Sequence, residues 1–81
     1  MTAEPVEAER SKARLRRRQI LEAALQCFSR EGFHAASMAS IAAQADLSVG
    51  QIYRYFENKE AVIEALCVSK LQDWAERLAE V

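Results

Sequence analysis

The stretch SVGQIYRYFENKE, residues 48–60, sets a glutamine, an arginine and two tyrosines around one glycine. At 100° per residue on a helix, Gly50, Gln51, Tyr53 and Arg54 point outward, Ile52 and Phe56 point inward, and Val49 and Tyr55 lie on the flanks of the buried side. The chemistry open to such a set is recognition by hydrogen bonding and stacking. Gln51 and Arg54 can bond base edges in a DNA major groove, which admits one helix, and Gly50, on the side of Arg54, lets the backbone approach a duplex. Each residue also has an internal use. Gln51 stands three after Ser48, the S-x-x-Q spacing of a capping box; Arg54 can sit on phosphate as well as on guanine; the tyrosines can be half-buried aromatics with their phenols in water. Catalysis is poorly served. His34 is the one histidine, and no Cys/His pair, phosphate-binding glycine loop or enclosed carboxylate pair accompanies it, so no enzyme, metal or cofactor is expected.

The elements that must position these residues are helices. With two glycines and one proline in 81 residues, the chain lacks the turn punctuation that strands require. From Arg16 to Glu31 the residues Ile20, Leu21, Ala24, Leu25, Cys27 and Phe28 fall on one helical face, and Gly32 ends that helix as its left-handed cap. Phe33 is expected to return to the core. Ser37 caps a second helix carrying Met38, Ile41, Ala42 and Ala45; Asp46 and Leu47 make a tight connection; Ser48 caps a third helix that runs to about Phe56. Two short helices joined so briefly form a helix-turn-helix. Asn58 then caps a fourth helix, whose apolar residues Val62, Ile63, Leu66, Cys67, Leu71, Trp74, Leu78 and Val81 continue to the last residue. The first three helices cover only its first turns, so the stripe from Leu71 to Val81 calls for a further partner. The fold class is therefore all-α, a three-helix bundle with a homeodomain-like helix-turn-helix followed by a long helix. The divisions are a flexible basic arm (1–14), the helix-turn-helix domain (15–57) and the fourth helix (58–81).

The formal charge of −1 and pI near 5.8 argue against a nucleic-acid partner only if charge is spread evenly. It is not. Residues 10–18, RSKARLRRR, hold Arg10, Lys12, Arg14, Arg16, Arg17 and Arg18 without an acid, after Glu4, Glu7 and Glu9. Such a run is a phosphate-binding arm or a solvated tail. Lys59, at the start of the fourth helix, is an unusual neighbour for a helix N-terminus unless it meets phosphate. Cys27 and Cys67 read as buried thiols in a reducing compartment. Without a membrane-length apolar run or a signal-peptide core, the protein is expected in the cytoplasm, with no membrane partner.

The segment ILEAALQCFSREGFHAASMASIAAQADLSVGQIYRYFENKEAVIEAL, residues 20–66, resembles the N-terminal DNA-binding domain of the TetR family of bacterial transcriptional regulators. It carries a helix, G-[FY], a Ser/Thr-capped I-A-x-x-A helix, S-x-G-x-[IL]-Y-x-[HY]-F and x-x-K-[ED]. The resemblance implies a homodimer whose third helices enter successive major grooves of a pseudo-palindromic operator in double-stranded DNA. It also implies a C-terminal domain, absent from this chain, for dimerisation and for a small-molecule effector that releases a repressor. By matched position, Gln51 and Arg54 are the candidate readers, with Val49, Gly50 and Tyr53 at the groove. The phosphate set is Arg16, Arg17, Arg18, Ser37, Ser48, Tyr55 and Lys59. The chain departs from the pattern at Asp46, where glycine is usual, and at Val49, where lysine often follows the capping serine. Val49 removes one phosphate contact or adds a thymine-methyl contact. The alternative is a helical docking module, whose binding to a protein would lack the steep salt dependence of DNA binding.

Overall fold

The computed structural model describes the backbone of residues 3–80 and the side chains of residues 9–72. Four helices follow one another: α1 (Ala3–Glu31), α2 (Met38–Ala45), α3 (Val49–Tyr55) and α4 (Lys59–Glu80). No strand occurs among the described residues, and the all-α architecture with a helix-turn-helix at α2–α3 is the expected one.

The largest difference from expectation lies at the start. Residues 3–14, expected as a flexible arm, are helical and continuous with α1, which is 29 residues long. The charge run suggested a solvated tail, but its residue types favour helix. Ala, Glu, Arg and Lys are strong helix formers, acids precede bases in the order that suits the helix dipole, and Pro5 falls in the first turn, where its missing N–H is not needed.

The core forms where α1, α2, α3 and the first turns of α4 meet. Ile20, Ile41, Ile52, Val62 and Cys27 are fully enclosed, with Ala24, Ala36, Ala42, Ala45, Met38, Phe56 and Leu66 around them. Each fully buried isoleucine stabilises the bundle by about 1.5–3 kcal/mol through burial alone. Small alanines on facing helices let α1 and α2 approach closely, and Gln19 of α1 fastens the contact by donating from Nε2 to the Ala45 carbonyl at 2.7 Å.

The turns follow the sequence signals closely. Gly32 is left-handed at φ 86° and its N–H donates to the Phe28 carbonyl at 2.9 Å. Asp46 ends α2 at φ 62°, and the Leu47 N–H donates back to Ala42 at 2.9 Å, closing the helix in a Schellman pattern without the usual glycine. At the entry to α4, Asn58 Oδ1 accepts from the Ala61 N–H at 2.8 Å.

Three apolar residues sit differently from their pattern. Phe33 is half-buried at the edge of the core, its ring tilted against that of Phe28 with centres 5.3 Å apart. Leu25 is exposed, and Cys67 is an exposed thiol whereas Cys27 is buried. The bundle covers the α4 face that carries Val62 and Leu66; Cys67 and Leu71 lie round the helix from it, beside an open apolar cleft of about 550 Å³ shared with Leu25, Phe28 and Ile63. Leu71 is exposed, and the side chains of Trp74, Leu78 and Val81 lie outside the described residues. Among the described residues, no helix is long and apolar enough to cross a membrane, and no cluster of His, Cys, Asp and Glu has the arrangement of a metal site.

Candidate nucleic-acid interface

α3 is a seven-residue helix held by its ends and one anchor. At its N-terminus the Gln51 N–H donates to Ser48 Oγ at 3.2 Å while the Ser48 N–H donates to Gln51 Oε1 at 3.0 Å, a reciprocal capping box. Ile52 is its fully buried anchor and Phe56, just past its end, is the second. The rest faces out. Tyr53 is 52% exposed, Val49 is 40% exposed, and Gly50 and Arg54 are exposed between them. Arg54 has no ion-pair partner among the described residues.

Gly50 has no internal reason to be glycine. A Cβ built there meets only Ser48 Oγ, at 3.9 Å, and the backbone is ordinary helix. Glycine inside a helix costs about 0.5–1 kcal/mol relative to alanine, so its use on this outward face fits the close approach of something outside the chain.

The capping box also bears on Gln51. Its Oε1 is committed to the Ser48 N–H, and the Ser48 hydroxyl lies 3.3 Å from the same oxygen. The Nε2 hydrogens remain free of these bonds, so Gln51 can cap and donate outward together, whereas bidentate pairing with adenine, which also needs an acceptor, would break the cap. Ser37 caps α2 in the same reciprocal way, with the Ser40 N–H donating to Ser37 Oγ at 3.0 Å and the Ser37 N–H donating to Ser40 Oγ at 2.8 Å.

The helical course of α1 divides its basic residues. Lys12 and Arg16, four apart, lie on the α3 side and line a cleft of about 400 Å³ with Gln19, Gln51, Arg54 and the half-buried Tyr55. Arg16 Nη1 donates to Gln19 Oε1 at 3.2 Å. Arg14, Arg17 and Arg18 lie on the other side, against α4. There the Arg17 guanidinium stands over the Phe56 ring at 5.0 Å and Arg18 pairs with Glu22 at 3.6 Å, both groups well exposed. Of the three arginines expected at phosphate, only Arg16 is brought to α3. The same cleft holds Lys12, a member of the basic run outside the phosphate set, and Gln19, outside the run altogether. The signal was present as the four-residue spacing of Lys12 and Arg16, once the run is taken as helix.

Lys59 is committed elsewhere. Its Nζ donates to the carbonyls of Phe33 at 2.5 Å, Ala36 at 2.8 Å and His34 at 3.2 Å, and stands 4.5 Å from the Phe33 ring centre.

Comparison with known proteins decides the family. The family profile described as "Bacterial regulatory proteins, tetR family" matches residues 20–66, the span from α1 through the helix-turn-helix into α4. The chain belongs to the TetR family. The fatty acid metabolism regulator protein of Bacillus subtilis (strain 168) is 37% identical over 62 residues, 76% of this chain and 32% of that protein. The HTH-type transcriptional regulator UidR of Escherichia coli (strain K12) is 44% identical over 63 residues, 78% of this chain and 31% of that protein. Among solved structures, the fatty acid degradation regulator FadR from Bacillus halodurans superposes with a TM-score of 0.77 at 34% identity, over 79% of this chain and 34% of that one. The chain therefore spans about a third of the length of these TetR-family relatives. The relatives compared are named as regulators.

Proposed function

We propose that this TetR-family chain reads operator DNA by laying the exposed face of α3 in the major groove. The observation that carries the reading is the face itself: Gly50, Tyr53 and Arg54 stand exposed on a helix fixed from behind by Ile52, and the cleft beside it holds Lys12 and Arg16. Arg54 donates to guanine edges, the Gln51 amide donates to an acceptor edge, and Val49 meets a thymine methyl. Phosphates flanking the groove are met by Lys12, Arg16, Tyr55 and the hydroxyls of the capping Ser37 and Ser48. Arg17 and Arg18, set against α4, belong to this set less than the linear run suggests.

The remainder of the protein, in this reading, is a helical domain covering the apolar cleft between α1 and α4 and joining two chains, so that two α3 helices reach half-sites about one DNA turn or more apart. An effector bound there releases a repressor from DNA to the extent that it favours one arrangement over the other. The protein works in the bacterial cytoplasm. The open cleft also suits a docking module, and salt dependence separates the two readings.

The test is affinity for a duplex selected from a random pool, titrated over a range of salt. Binding should weaken steeply, and replacing Lys12 and Arg16 by Gln should flatten the slope of log affinity against log salt by roughly 0.9 for each phosphate no longer neutralised. The same change at Arg17 and Arg18 should alter it far less. A flat salt dependence in the parent chain would favour docking to protein, and equal slopes for the two pairs of variants would remove the division of α1 into a DNA side and an α4 side.

A further inference from the structure

Lys59 is the first residue of α4, where the positive end of the helix dipole makes a cation unfavourable. Its side chain crosses to the turn that follows α1. That turn presents the carbonyls of Phe33, His34 and Ala36, and all three accept from the one ammonium, at 2.5, 3.2 and 2.8 Å. A lysine ammonium has three hydrogens, so this set uses its whole donor capacity. The Phe33 ring, 4.5 Å from Nζ, closes a further side by cation–π contact, and Phe33 itself packs against the Phe28 ring of α1. The residue is half-buried, in contrast to the exposed Lys12 and Lys70. The carbonyls lie just beyond the C-terminal end of α1, where a cation is favoured, so the cost at one helix end is offset at the other. A phosphate oxygen approaching Nζ would have to displace carbonyl oxygens of its own sign of charge.

We propose that Lys59 is a positioning residue and not a phosphate contact: it fixes the turn between α1 and α2, and so the Ser37-capped end of α2, to the first turn of α4. Ala36, whose carbonyl it holds, immediately precedes Ser37, and Ser37 caps α2 through its reciprocal bonds with Ser40. The N-terminus of α2 therefore follows the start of α4 when either moves. The proposal rests on the DNA reading above only for its effect on affinity; the clamp itself is a property of the free protein.

Two measurements on the 81-residue chain test it. In the first, the ¹⁵N resonances of the lysine ammonium groups are recorded without DNA at neutral pH. The Lys59 signal should persist, slowed in exchange with water and coupled across hydrogen bonds to labelled carbonyls of Phe33 and Ala36, while those of Lys12 and Lys70 disappear through exchange. A Lys59 ammonium that exchanges as fast as the other two overturns the clamp, whether or not any variant folds and whether or not the chain binds DNA. In the second, Lys59→Met and Lys59→Arg are compared with the parent for affinity to the pool-selected duplex, at a temperature where circular dichroism shows all three folded. Both variants should bind roughly 3- to 30-fold more weakly, the range expected when two elements are uncoupled, with the salt slope unchanged. Arginine should not rescue, because a planar guanidinium cannot point its donors at three carbonyls converging on one atom. A slope lowered by roughly 0.9, or rescue by Lys59→Arg, would make Lys59 a phosphate contact. Unchanged affinity in both variants would reduce it to a stabilising residue. Failure of the parent to bind DNA would sink the DNA reading and leave the ammonium measurement to decide the clamp.

Discussion

α2 and α3 are nearly equal in length, eight and seven residues, and are capped by the same reciprocal device, yet they divide their surfaces in opposite ways. α2 buries Met38, Ile41, Ala42 and Ala45 against α1, and Gln19 bonds its last carbonyl. α3 buries only Ile52, with Phe56 just beyond its end. Helices this short are not stable alone. α2 is held along its length by packing, whereas α3 is held at its two ends and at one point in the middle, which frees the remainder for a partner. The comparison separates residues that keep the bundle together from residues kept available.

The sharpest way to break that division is to empty the core under α2. Ile41→Ala should cost about 2–5 kcal/mol of stability, enough to unfold much of so small a domain at physiological temperature, with DNA binding abolished as a consequence. Urea unfolding followed by circular dichroism measures it; an effect as small as that of a surface substitution would mean that α2 is not the packed strut described. Arg54→Ala on α3 should do the reverse. Stability should stay within about 0.5 kcal/mol of the parent, while affinity for the selected duplex falls by about 1–3 kcal/mol and preference relaxes at one base position. Equal weakening on selected and random duplexes would place Arg54 on phosphate. The smallest effect is the most diagnostic. Gly50→Ala should raise stability by about 0.5–1 kcal/mol, because the added methyl meets only Ser48 Oγ at an ordinary contact distance and helical glycine is costly, yet weaken DNA binding. A variant both more stable and equally tight would show that no duplex approaches the backbone at Gly50.

How much of this was visible in the sequence depended on the range of the interaction concerned. The caps at Ser37, Ser48 and Asn58, the left-handed turns at Gly32 and Asp46 and the inward pair Ile52 and Phe56 are set within a turn or two of chain, and they were legible to within a residue. Lys59 was legible only as an anomaly at a helix N-terminus; its partners lie 23–26 residues away, which no local pattern could supply. Apolar periodicity places Cys67 in the core because it counts a stripe without the width of the face that the neighbouring helices cover, and the thiol is exposed. The start of α1 was missed for another reason. Charge density and helix propensity point in different directions over residues 3–14, and propensity prevails in the structure. The division of the basic residues between the α3 side and the α4 side is a consequence of that helix, and a flexible tail would have no such sides.

A basic segment that is disordered when free must be ordered at the moment of contact, and the entropy of ordering is subtracted from its affinity. The continuous α1 removes that subtraction. Arg10 to Arg18 spans about 12 Å along a helix already formed, so its charges arrive in fixed register with one another. Such an arm forgoes the larger capture radius of a floppy chain and its folding-linked drop in heat capacity on association. In exchange, the spacing between Lys12, Arg16 and the exposed side of α3 is a property of the free protein, and a duplex bound as proposed has to conform to it.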